Sequence, residues 1–162
     1  MRKINEIFYS LQGEGFHTGT PAIFVRFSGC NLKCSFCDTR HEEGMEMTDE
    51  YILSEINKYP ADTVILTGGE PGLWIDEDFI NLLHQAGKYI CIETNGTKEL
   101  PSDIDWVTCS PKWGNELKLK RQDELKVVYE GQDVSDYEKL PAKYYYLQPC
   151  SCINTAEVVD YI

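Results

Sequence analysis

Along this chain the apolar side chains recur at every second position in some stretches and three or four apart in others. That change of period separates strands from helices. Ile4-Asn5-Glu6-Ile7-Phe8 predicts a first strand. Ser10-Leu11-Gln12-Gly13-Glu14-Gly15 then forms a glycine-bearing turn carrying an amide and a carboxylate, and Pro21 ends the following loop. Ala22–Phe27 is rich in aromatic and β-branched residues and predicts a second strand, with Arg26 set among apolar neighbours. Thr48 is a good N-cap, with Asp49 and Glu50 in the first turn, where they favour the helix dipole. Ile52, Leu53 and Ile56 give this helix one apolar face up to about Tyr59, and Pro60 stops it. A second helix spans Asp76–Ala86, with Phe79, Ile80 and Leu83 on one side and Gly87 at its end. Short strands are predicted at Thr63–Thr67, Tyr89–Thr94, Trp106–Cys109, Leu125–Tyr129 and Tyr144–Leu147, and a last helix over Asn154–Ile162.

Strands alternating with helices indicate an α/β protein built on a mainly parallel sheet. The strands from Ala22 onward, with few helices between the later ones, predict a partial (β6/α3-like) TIM-type barrel rather than a closed eight-stranded one. The polar and glycine-rich stretches each follow a strand. They are the loop after Phe27, Gly68-Gly69-Glu70-Pro71, Glu93-Thr94-Asn95-Gly96, Ser110-Pro111-Lys112 and Gln148-Pro149. In parallel sheets ligands bind at the carboxyl ends of the strands, so these stretches are expected to converge on one mouth.

The 162 residues suit one domain over positions 1–162, either naturally compact or shortened at its C-terminus. With 15 basic and 27 acidic residues the formal net charge is −12, which disfavours direct binding to a phosphate backbone. An odd number of cysteines, 7, and the lack of an apolar leader or long apolar run point to a reducing, cytoplasmic setting. Cys91 and Cys109 lie in apolar surroundings and are expected in the core, while Cys150 and Cys152 flank Ser151 near a loop.

Three of the cysteines change the picture. Cys30, Cys34 and Cys37 stand as C-x3-C-x2-C within Gly29–Thr39, GCNLKCSFCDT. They are too close in sequence for separate disulfides and well placed for one metal centre. Iron–sulfur clusters are usually held by four thiolates, and a cubane held by only three leaves one iron open to another ligand. A zinc knuckle completed by His41 is the alternative. Arg26 needs a partner wherever it points inward, and its guanidinium suits a carboxylate. A salt bridge to one of the many acidic side chains would satisfy it equally. Read alone, the GGEP and SPK stretches are ordinary turns and loops, Glu93 is a solvated strand end, and Gln148 is an amide ahead of a turn.

The cysteine loop resembles the C-x3-C-x-Φ-C signature of radical S-adenosylmethionine (SAM) enzymes, with Phe36 at the aromatic position. SLQGEG at Ser10–Gly15, Gly19-x-Pro21, FVRF at Phe24–Phe27, CDT at Cys37–Thr39, TGGEP at Thr67–Pro71, ETNGT at Glu93–Thr97, SPK and LQP at Leu147–Pro149 extend the likeness over most of the chain. Together they resemble the 7-carboxy-7-deazaguanine synthase family. The resemblance implies a radical SAM core in which Cys30, Cys34 and Cys37 hold a 4Fe–4S cluster. Phe36, Cys37, Asp38, Gly69, Glu70, Glu93, Ser110, Pro111, Lys112, Gln148, Pro149, Cys150 and Ser151 would lie around SAM, with GGEP at its amino group and Glu93 at its ribose. Leu11, Gln12, Gly13, Glu14, Arg26 and Thr67 would contact the substrate, and Thr39 would bind Mg²⁺ through its hydroxyl. The implied reaction converts 6-carboxy-5,6,7,8-tetrahydropterin to 7-carboxy-7-deazaguanine with loss of ammonia, a lyase step toward queuosine and other 7-deazapurines. An electron donor such as flavodoxin and a homodimer are the implied partners. Asn95 stands where relatives often carry serine, and C-terminal substrate contacts cannot be carried over. Two other readings remain at this point: a glycyl-radical enzyme activase of the anaerobic ribonucleotide reductase type, and a non-catalytic zinc or iron–sulfur module.

Overall fold

The N-terminal apolar pattern becomes strand β1, Arg2–Leu11, longer at both ends than the Ile4–Phe8 alternation predicts. The computed structural model describes residues 1–37, 39–150 and 154–161. Strand β2 (Pro21–Phe27) runs antiparallel to β1, with Ile7 opposite Val25. From β2 onward each neighbouring pair is parallel: β4 (Thr63–Gly68), β5 (Tyr89–Thr94), β6 (Trp106–Cys109), β7 (Glu124–Tyr129) and β8 (Tyr144–Pro149). These are the strands expected after Ala22, and with the helices they form the partial TIM-type barrel. One strand was not expected. Met45–Met47 pairs with the free edge of β1 as β3, a segment too short to show a period. Among the described residues the sheet has eight strands in the order β3-β1-β2-β4-β5-β6-β7-β8.

The two faces of the sheet are sorted by the period of two. Ile23, Val25 and Phe27 of β2, Val64 and Leu66 of β4, and Ile90 and Ile92 of β5 point outward into the main core. There they meet Ile52 and Ile56 of helix α1 (Asp49–Ile56) and Phe79, Ile80 and Leu83 of helix α2 (Glu77–Gln85). Ala22, Phe24, Ile65, Cys91 and Trp106 occupy the alternate positions and pack on the inner face. Arg26, Thr67 and Glu93 continue that inner row toward the carboxyl ends, as do Glu124 and Lys126 on β7.

Local signals set the helix ends. The Thr48 side chain accepts from the backbone N–H of Tyr51, and the Asp76 carboxylate accepts from that of Phe79 at 2.9 Å. Buried Arg2 joins the first turn of α1 and the N-cap of α2 to β1. Its guanidinium pairs with Asp49 at 2.8 Å and Asp76 at 2.9 Å and lies 4.3 Å over the Phe79 ring. A third helix, α3 (Thr155–Tyr161), follows β8 with Val158 buried, close to the span predicted for it.

Candidate active site

The carboxyl ends of the parallel strands open on a cavity of about 610 Å³. The cluster loop, the GGEP turn, the ETNG turn, the SPK stretch and Gln148-Pro149 all contribute to its wall, as their positions after strands predicted. Cys30, Cys34 and Cys37 line it together, the first two half-buried and the third exposed. Burial is the main influence pushing the Cys30 and Cys34 thiols up, and the nearby Cys37 adds to both. Ligands must be thiolates, so loading a metal here releases protons. Among the described residues no three His, Cys, Asp or Glu side chains close around a single ion. Three thiols on one loop facing a common cavity suit an iron–sulfur cluster with one iron left open.

The loop is held by backbone contact. Gly69 N–H donates to Phe27 O at 3.0 Å, and Glu70 N–H donates to Gly29 O at 2.9 Å. A Cβ on Gly69 would stand 2.0 Å from that same Gly29 oxygen. Glycine at position 69 is therefore a requirement of two loops lying backbone to backbone.

The structure sorts the expected SAM contacts. Phe36, Cys37, Gly69, Ser110, Lys112, Gln148, Pro149 and Cys150 line the cavity. Lys112 donates to the Ser110 hydroxyl at 2.7 Å and lies 5.6 Å from the Phe36 ring. Burial pulls its pKa below the usual lysine value. Asp38 and Ser151 lie outside the described residues. Pro111 is buried behind the wall and is not among the lining residues.

Glu70 is placed apart from the other expected SAM contacts. Its carboxylate turns away from the cavity and is fully buried. It accepts from the Gly72 N–H at 2.8 Å, the Thr94 hydroxyl at 2.7 Å and the Asn95 N–H at 2.8 Å. Burial pushes its pKa up. A buried carboxyl needs such partners, and here they tie the end of β4 to the end of β5. The Asn95 side chain in turn donates to Asn31 Oδ1 at 3.1 Å and reaches Cys30 Sγ at 3.9 Å, so this tie supports the cluster loop.

The expected substrate contacts, Leu11, Gln12, Gly13, Glu14, Arg26 and Thr67, all line the same cavity. Glu93 groups with them. It accepts from Gln12 Nε2 at 2.8 Å and from the Thr67 hydroxyl at 2.9 Å. Burial works to raise its pKa, but the charge of Lys126 and these two hydrogen bonds outweigh it and hold the carboxyl below its ordinary range. The salt-bridge reading of Arg26 is met. Its Nε pairs with Glu6 at 2.7 Å, while its Nη1 lies 3.4 Å from the Thr39 hydroxyl on the cavity wall. Lys126 was missed. It is a buried lysine lining the cavity, bonded to the Glu14 carboxylate and 3.8 Å from Glu93 Oε1. Its sequence signal was the one that marked Arg26, a cation inside an otherwise apolar strand.

A partial parallel barrel with a three-cysteine loop at its mouth is the architecture of a radical SAM protein, and the sequence profile of the Radical SAM superfamily matches residues 24–124. The chain is 72% identical to the 7-carboxy-7-deazaguanine synthase of Bacteroides thetaiotaomicron over 160 residues, which covers 99% of this chain and 88% of that one. It is 38% identical to the enzyme of the same name from Bradyrhizobium diazoefficiens, covering 98% of this chain and 89% of that one. The crystal structure of QueE from Escherichia coli superposes with a TM-score of 0.81 at 32% identity, covering 99% of this chain and 89% of that chain. The chain belongs to the 7-carboxy-7-deazaguanine synthase family. With that membership come a 4Fe–4S cluster and SAM as cofactors, and the donor set at Cys30, Cys34 and Cys37 fits the cluster.

Proposed function

We propose that this protein converts 6-carboxy-5,6,7,8-tetrahydropterin to 7-carboxy-7-deazaguanine with loss of ammonia. The observation that carries this reading is a single cavity. The three cluster cysteines stand on one part of its wall, and Gln12, Glu14, Arg26, Thr67 and Glu93 stand on another. A small polar molecule bound among the second set lies within reach of chemistry started at the first. When bound, the cluster and SAM supply the radical that takes a hydrogen atom from the substrate.

The chain's own residues position and shield. Cys30, Cys34 and Cys37 hold the cluster. Phe36, Gly69, Ser110, Lys112, Gln148, Pro149 and Cys150 form the SAM wall, with Asp38 and Ser151 assigned there by resemblance. Arg26 offers a planar cation to the substrate carboxylate. Thr39 offers a hydroxyl oxygen for Mg²⁺, a cation that prefers oxygen ligands and keeps several waters. Leu11, Gln12, Gly13, Glu14 and Thr67 contact the pterin. The reading also takes the protein as one domain, a homodimer, cytoplasmic, and served by a one-electron donor such as flavodoxin. Exposed Cys37, which leaves one side of the cluster site near the surface, supports access by such a donor. Among the described residues no helix is long and apolar enough to cross a membrane.

The test is anaerobic incubation of the loaded protein with reductant, SAM, Mg²⁺ and the carboxytetrahydropterin, read by mass. The deazaguanine acid and 5′-deoxyadenosine are expected. No deazaguanine, but a glycyl radical installed on a partner enzyme, would hand the chain to the activase reading.

A further inference from the structure

Two charged side chains on the inner face of β7 have no part in the reading above. Glu124 and Lys126 are two residues apart on a strand, so they share a face, and both are buried. Charges buried in this way need partners. Theirs lie in the loop that follows β1, although β2, β4, β5 and β6 separate β1 from β7 in the sheet.

That loop is gripped at successive residues. Lys126 Nζ bonds the Glu14 carboxylate. The Glu124 carboxylate packs so closely on Gly15 that a Cβ there would stand 2.0 Å from its Oε1. Glu124 Oε2 also accepts from the Phe16 N–H at 3.1 Å. At the near end of the loop, Gln12 donates to Glu93 on β5. The segment therefore crosses the inside of the open barrel and is seated by β5 and β7. Lys126 lies between Glu14 on the loop and Glu93 on β5, and all three line the cavity.

We propose that Lys126 is a positioning residue for the substrate. Its ammonium holds the carboxylates of Glu14 and Glu93 side by side as acceptors for the amino and ring N–H groups on the pyrimidine edge of the pterin, and Glu124 seats the loop that carries Glu14. This rests on the pterin reading. The chemistry is one of like charges. Two carboxylates brought together without a cation repel, and one of them takes up a proton. A protonated carboxyl is a poorer acceptor, and its oxygens turn to other partners. The ammonium keeps both acceptors available and limits where they point.

The experiment compares loaded unmodified protein with Lys126→Met, Lys126→Arg, Glu14→Gln and the Glu14→Gln/Lys126→Met pair. It measures pterin KM and kcat, the SAM dissociation constant and SAM cleavage without pterin. Lys126→Met is expected to raise the pterin KM about ten- to a hundredfold, with SAM affinity and uncoupled cleavage unchanged. Lys126→Arg keeps the charge and restores most of the KM. In the Glu14→Gln background the Lys126→Met penalty shrinks, because one of the carboxylates it acts through is gone. Should Lys126→Met fold poorly, Lys126→Gln makes the same comparison. An unchanged KM in the neutral variant, or a penalty of the same size with and without Glu14, overturns the proposal. If the unmodified protein neither binds nor converts the pterin, the functional reading itself falls.

Discussion

Arg26 sits on the inner face of β2, with one side of its guanidinium on Glu6 and another near the Thr39 hydroxyl. A charge-assisted hydrogen bond contributes about 1.5–3 kcal/mol, so Arg26→Ala should weaken pterin binding by roughly ten- to a hundredfold. SAM binding and slow cleavage of SAM without substrate should persist. Near-normal kinetics with the carboxypterin would remove Arg26 from the substrate site. Thr39 is tested separately through the metal. Thr39→Ala should weaken the stimulation of turnover by Mg²⁺ while iron content stays the same, and an unaltered Mg²⁺ dependence would count against the ligand assignment. Residue identity made Arg26 visible as a candidate, because a cation in AIFVRF is unusual for a plain strand, whereas Thr39 entered only through the family resemblance. Glu70 shows the opposite case. The family resemblance set its acidic side chain beside SAM, yet it faces Thr94 and Asn95. Which way a turn residue points depends on a neighbouring strand far away in sequence.

At the scale of elements, the sheet meets the starts of its helices through Arg2, Asp49 and Asp76. Asp76 is both the N-cap of α2 and a partner of Arg2, so Asp76→Ala should cost about 0.5–2 kcal/mol, seen as a lower Tm. The hydrogen bond from Arg2 is the main cause holding the Asp76 carboxyl below its usual range. A depressed folded-state pKa contributes stability above the unfolded value of about 3.9 and loses it as pH falls through the folded value. The Tm difference between the two proteins should therefore narrow in acid. Solvent around this half-exposed carboxylate limits the electrostatic part. The contact between the GGEP and cluster loops makes a second prediction. Gly69→Ala should force the two backbones apart and reduce iron incorporation, while far-ultraviolet circular dichroism stays like that of the unmodified protein. Full cluster loading in that variant would show that the loops have room the contact distances do not allow. Helix caps and apolar faces were legible because they repeat locally. Strand β3 was not, since Met45–Met47 is a strand only because the edge of β1 lies beside it.

On the scale of the whole molecule, the inner row of charges and the cluster loop meet at one opening, and ligands that bind only the folded chain should stabilise it. Loading the cluster and then adding SAM at about a hundred times its dissociation constant should raise stability stepwise, by about 2.7 kcal/mol for the SAM step alone. Replacing Cys30, Cys34 and Cys37 by alanine should abolish iron binding and the rise that follows it. A variant lacking all three that still gained full stability on reconstitution would place the cluster elsewhere. The amino-acid sequence by itself determined the parallel α/β class, the positions of the strands after Ala22, the helix caps and the three-thiol loop. Each of these depends on periods, caps and spacings within about a dozen residues, where chain connectivity already limits the geometry. Only the tertiary structure decided that Glu70 turns into the protein, that Glu93 joins Gln12 and Thr67, and that Lys126 reaches a loop from the far side of the sheet. Those outcomes follow from how the strands order and curl. Side chains more than a hundred residues apart, such as Glu14 and Lys126, become neighbours only when the open barrel brings β7 round to face the loop after β1.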